Sequence, residues 1–89
     1  DKLNSMTMVS ESIIVQRGEK LVGLVYPEMD EAKTMGFSTE DLEDIMEQNR
    51  LELNGILPSF CRLSSIELRD EEFAKTPKRS IKRYLYQNV

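Results

Sequence analysis

Residues 9–26, VSESIIVQRGEKLVGLVY, limit what this chain can fold into more than any other stretch. The first half, VSESIIVQR, is rich in β-branched residues and reads as a strand over residues 9–17. Gly18 and Glu19 supply a turn. KLVGLVY, residues 20–26, reads as a second strand, and Pro27 ends it because proline has no N–H to give to a ladder. The two runs make a β-hairpin. Ile13 and Val15 lie on one face of the first strand and Leu21 and Val25 on one face of the second, while Ile14, Val22 and Leu24 face the other way. Apolar residues on both faces require cover on both sides.

The rest of the chain offers that cover. DKLNS, residues 1–5, reads as the end of a helix whose beginning is missing, and with Asp1 rather than Met at the start the expectation is a chain that is processed or cut from something longer. EMDEAKTM, residues 28–35, is a short helix with Gly36 as its cap. A longer helix starts at Ser38, a good N-cap, with Asp41 at the capping-box position and Phe37 and Leu42 as a hydrophobic staple. Leu42, Ile45, Met46, Leu53, Ile56 and Leu57 form its apolar stripe, Leu51 points the opposite way, and Pro58 ends it. RLSSIELR, residues 62–69, reads as a third strand, DEEF, residues 70–73, as a turn or one helical turn, and SIKRYLYQ, residues 80–87, as a final short helix capped by Ser80. The class is α+β, a small sheet of about three strands flanked by helices, in the order β-β-α-α-β-α.

Eighty-nine residues make a single domain, residues 1–89, long enough to fold alone with a modest margin. No apolar run approaches the ~20 residues of a membrane-spanning helix. The absence of histidine removes Ser–His and Cys–His nucleophile pairs and every His-ligated metal, and the single cysteine, Cys61, excludes an internal disulfide and a multi-cysteine zinc site. Cys61 reads as a small buried hydrophobe; together with the lack of disulfides it points to a cytoplasmic protein. Ser10, Ser12, Ser64 and Ser65 fall on strands without a base nearby, and the carboxylates of EDLED, residues 40–44, complement a helix dipole rather than hold a cation.

Charge is divided unevenly. Residues 1–74 carry seven Lys and Arg against all sixteen Asp and Glu, net −9, whereas residues 75–89 carry five cations and no acid. The five are Lys75, Lys78, Arg79, Lys82 and Arg83, within KTPKRSIKRYLY, residues 75–86. Several readings are open on charge alone: a solvated face, a self-contained anion- or nucleic-acid-binding module, or a peripheral contact with a membrane surface. Nucleic acid is disfavoured, since the acidic body repels a phosphate backbone and the strands lack an aromatic stacking platform. The order of residues adds more. Thr76-Pro77 breaks the chain, because Pro77 fixes φ and holds Thr76 extended, so Lys78, Arg79 and Lys82 sit on and beside a loop.

TPKRSIKRYLY resembles the closing lysine motif of the AMP-forming acyl-CoA synthetases, in the adenylate-forming superfamily. Pro77 matches the motif's proline and Lys82 its catalytic lysine; LPSF, residues 57–60, is similar to the Leu-Pro-aromatic step before the family's last strand, and the hairpin is similar to that of its small C-terminal domain. Ile81 stands where many members have glycine, and the family's hinge motif, which lies just before this domain, is not in the chain. The resemblance implies the mobile C-terminal lid of a long-chain-fatty-acid–CoA ligase, partnered by its own large N-terminal adenylation domain and inactive by itself. It implies Lys82 as the adenylation lysine and contacts from Lys78, Arg79 and Arg83 to phosphates of ATP or coenzyme A. ATP, Mg²⁺, coenzyme A and the fatty acid belong to the full-length enzyme, the lid alone binding none of them.

Overall fold

The computed structural model describes residues 2–87. Strand β1, Val9–Arg17, pairs antiparallel with β2, Lys20–Pro27, in the register Ile13↔Leu24 and Val15↔Val22. Gly18 turns the hairpin at φ 63° in a two-residue loop, a left-handed conformation that glycine adopts without steric penalty. Strand β3, Ser65–Leu68, adds parallel to β2, giving the order β1-β2-β3 in an α+β fold. A parallel neighbour needs a long crossover, and two helices supply it: α1, Met29–Met35, and α2, Thr39–Ile56.

The register groups the strand residues differently from the alternation counted on each strand separately. Ile13 and Val15 share a face with Val22 and Leu24, and Ile14, Leu21 and Val25 belong to the other. A bulge between Val9 and Glu11 shifts the alternation, so that Val9 joins the second face. Both faces are covered. One packs on the helices through Ala32, Leu42, Met46 and Leu53, with Leu3 and Leu63 beside them. The other is covered by Phe73, Ile81 and Tyr86 from the C-terminal segment.

Gly23 allows the close approach at the first of these faces. A Cβ there would lie 3.1 Å from Leu3 Cδ2 and 3.3 Å from Leu63 Cδ1, and both leucines are fully buried. Leu3 belongs to a single 3₁₀ turn, Leu3–Ser5, where the end of a helix was expected; residue 1 lies outside the described residues.

Helix α2 starts as its sequence requires. Ser38 Oγ accepts from the Asp41 N–H at 3.1 Å, and the Asp41 carboxylate accepts from the Ser38 N–H at 2.9 Å, a complete capping box. The helix stops before Pro58, with Leu57 extended. Leu42, Met46 and Leu53 are buried, whereas Ile56, expected in the stripe, is 64% exposed at the last turn. Asn49 occupies the stripe instead, buried, donating to the Thr7 carbonyl at 2.8 Å. One turn on, Asn54 holds Leu63 from both sides, accepting from its N–H and donating to its carbonyl, each at 2.8 Å. These bonds feed the chain into β3 and explain why the strand starts at Ser65 rather than at residue 62.

Candidate functional site

The basic segment folds as a second, smaller hairpin laid across the sheet face away from the helices. Lys75 bridges antiparallel to Ile81. Thr76 N–H donates to the Ser80 carbonyl at 2.8 Å, Lys82 N–H to the Ala74 carbonyl at 2.8 Å, and Arg79 N–H closes the tip on the Thr76 carbonyl at 2.8 Å. Ser80 N–H adds a 3.2 Å bond to Thr76 Oγ1. Pro77 suits the first central position of such a tip, where φ is already near its ring-fixed value. Arg79 follows at φ 65°, a left-handed conformation uncommon outside glycine and asparagine.

This arrangement corrects the expectation of a helix over residues 80–87 with Ser80 as its cap. Ser80 and Lys82 give their backbone groups to the hairpin and cannot start a helix. The only helical geometry left is a 3₁₀ turn, Arg83–Leu85. An eight-residue helix is marginal alone, and pairing with residues 74–76 outweighs it. The turn or helical turn expected over residues 70–73 is a bend that delivers Phe73 into the core.

Lys82 occupies the reversal between hairpin and turn. Its backbone sits at φ −76° and ψ 77°, and Arg83 N–H donates to the Ile81 carbonyl at 2.9 Å, the geometry of an inverse γ-turn. Its side chain is half-buried and makes no hydrogen bond or ion pair with the described residues. The same holds for Lys78 and Arg79 at the tip and for Arg83 after Lys82, all three exposed. Four cations without counter-charge therefore belong to one short hairpin and its exit, a set that can attract phosphate or carboxylate oxygens.

The fifth cation is committed inside the protein. Lys75 Nζ pairs with the Glu11 carboxylate of β1 and lies 3.3 Å from Glu72. The hydrogen bond to Glu11, and then the one to Glu72, holds the Lys75 ammonium above the ordinary lysine range against the opposing effect of burial. Glu11 also accepts the Phe73 N–H at 3.1 Å. Beside this pair, the Arg69 guanidinium stacks 4.8 Å from the Phe73 ring and 4.7 Å from the Tyr86 ring, and the two rings meet edge to face at 5.0 Å. Tyr86 Oη accepts the Ala74 N–H at 2.8 Å. The hairpin is thus fixed before its first residue and after its last.

Sequence reasoning placed Lys78, Arg79, Lys82 and Arg83 together and missed Glu11, Arg69 and Tyr86. Glu11 meets Phe73 and Lys75 from more than sixty residues away, and Arg69 and Tyr86 come together from distant parts of the sequence, separations that no local pattern carries. Cys61 lies half-buried in a 3₁₀ turn, Ser59–Cys61, next to an 81% exposed Phe60. Ser12 is buried and donates to Asn4. An open groove of about 620 Å³ lies between α2 and β3, lined by Leu42, Glu43, Glu47, Ile66 and Leu68 among others, and none of the four cations borders it. Among the described residues no three His, Cys, Asp or Glu side chains gather as a metal site, and no helix is long and apolar enough to cross a membrane. Comparison with known protein families, curated proteins and solved structures gave no match.

Proposed function

We propose that this chain is the C-terminal lid of an AMP-forming fatty acyl-CoA synthetase and that Lys82 supplies the cation for adenylation. The observation that carries the reading is the state of Lys82: an uncommitted ammonium at a sharp backbone reversal, held at the end of a braced hairpin in an otherwise acidic body.

In the reaction proposed, a fatty-acid carboxylate oxygen attacks the α-phosphorus of ATP, the bond from that phosphorus to the pyrophosphate oxygen breaks, and acyl-adenylate forms. Negative charge gathers on the phosphoryl oxygens and the departing pyrophosphate. A cation aimed there attracts the transition state more strongly than the ground state and lowers the barrier. Lysine suits a moving lid, since its compact charge on a flexible stem enters and leaves with the domain. The coenzyme A thiol then displaces AMP in a second step. Lys78, Arg79 and Arg83 would meet phosphate groups of ATP or coenzyme A. Nucleotide base, Mg²⁺ and acyl chain would be held by the large N-terminal domain of the full-length enzyme.

The test compares full-length wild type with Lys82→Ala. Pyrophosphate release on adding ATP and fatty acid should fall by about 100- to 1000-fold, the usual loss when one such electrostatic contact is removed. Thioester formation from supplied acyl-adenylate should persist. Undiminished pyrophosphate release would sink the proposal and return attention to anion or nucleic-acid binding by the free cations.

A further inference from the structure

We infer that Glu11 is a positioning residue for the adenylation lysine, acting through Lys75; this rests on the function proposed for Lys82. Regular alternation along β1 puts the Glu11 side chain on the sheet face that the basic hairpin covers, the face of Ile13 and Val15, and the bulge lies beyond it toward Val9. The carboxylate is largely buried, at 15% exposure, and holds two points of the segment leading to Lys82: the Phe73 N–H and the Lys75 ammonium.

Lys75 is the residue through which this hold reaches the site. Its backbone bridges Ile81, the residue immediately before Lys82. Its side chain is 20% exposed and is the one cation of the basic segment that meets a carboxylate. The connection runs from β1 through Glu11 and Lys75 to Ile81 and then to the γ-turn at Lys82. On the far side Tyr86 Oη and the stacked Arg69 restrain the chain after Lys82. A lysine that must meet phosphates after a domain movement gains from a fixed origin, because a misplacement near 1 Å costs about 100-fold in rate.

The experiment uses the full-length enzyme with four variants: Glu11→Gln, Lys75→Met, the exchange Glu11→Lys with Lys75→Glu, and Lys82→Ala. Glu11→Gln keeps an acceptor for the Phe73 N–H and removes the charge that Lys75 meets. Lys75→Met leaves the Glu11–Phe73 bond in place and carries the same test should Glu11→Gln fail to fold. Both should lower kcat for pyrophosphate release by about 10- to 100-fold, with KM for ATP nearly unchanged. Thioester formation from supplied acyl-adenylate should be spared, and the exchanged pair should recover part of the lost kcat. Amide hydrogen exchange at Thr76, Arg79 and Lys82 should accelerate in the two single variants, and thermal stability alone would not produce that pattern.

Wild-type kcat in Glu11→Gln and Lys75→Met, beside an inactive Lys82→Ala, overturns the positioning role and leaves the lysine reading intact. Equal losses in both half-reactions, with no recovery in the exchanged pair, also overturn it, since they show general damage. A fully active Lys82→Ala removes the functional reading and this inference with it.

Discussion

Gly23 shows how much one missing carbon can decide. It is a strand residue at ordinary backbone angles, and nothing in VGL announces a contact. Its importance comes from Leu3, Leu63 and Ile66, which converge on the position where a Cβ would stand. Gly23→Ala should lower stability by about 1–3 kcal/mol, the usual cost of overpacking a filled core. Chemical denaturation of wild type and variant measures it, and a loss below ~0.5 kcal/mol would mean that Leu3 moves aside freely. Arg79 presents the opposite case. Its left-handed φ of 65° at the hairpin tip is a conformation that glycine would adopt with less strain.

The elements differ in how far local sequence determined them. The first hairpin and α2 were readable because their signals are short-range: β-branched runs around a Gly-containing turn, and a serine three residues before an acid. Ser38→Ala should cost about 1 kcal/mol, since it removes the acceptor for the Asp41 N–H. The loss should show as a lower denaturant midpoint with unchanged slope. The C-terminal element was misread for a physical reason. SIKRYLYQ has acceptable helix formers and a serine at its start, but Ala74 and Thr76 pair with its first residues and take the groups a helix would need. The four free cations were identifiable as a cluster, whereas the carboxylate that braces them sits more than sixty residues earlier in the chain. Ile56 and Asn49 make the same point within α2: periodicity gave the stripe, but the helix end exposed one member and the Thr7 carbonyl brought a polar residue into another place.

Across the whole molecule the sheet separates two tasks. The helices close one face and hold eight of the sixteen carboxylates; the C-terminal hairpin closes the other and, with its exit, carries four uncommitted cations. The Glu11–Lys75 pair joins that hairpin to the sheet, so its titration should be visible in global stability. Because the folded protein raises the Lys75 pKa, the pair's contribution is fully present below the unfolded lysine value, about 10.4. It is lost as pH rises through the higher folded value. The difference in unfolding midpoint between wild type and Lys75→Met should therefore stay constant from pH 8 to about 10 and shrink above that. A difference that is flat to pH 12, or that grows, would show that packing of the lysine stem, not its charge, makes the contribution.

The hairpin tip has one more consequence, for how this segment tolerates change in length. Two pairings, Thr76 with Ser80 and Ala74 with Lys82, set the point from which Lys82 departs, and both lie below the tip. Pro77, Lys78 and Arg79 can therefore vary in number and kind without moving that point, as loops above a paired base generally do. A single residue gained or lost between Ser80 and Lys82 would instead break the pairing on which the γ-turn stands. The segment behaves as an exchangeable cap on a fixed socket: the cap can change while the lysine keeps its station.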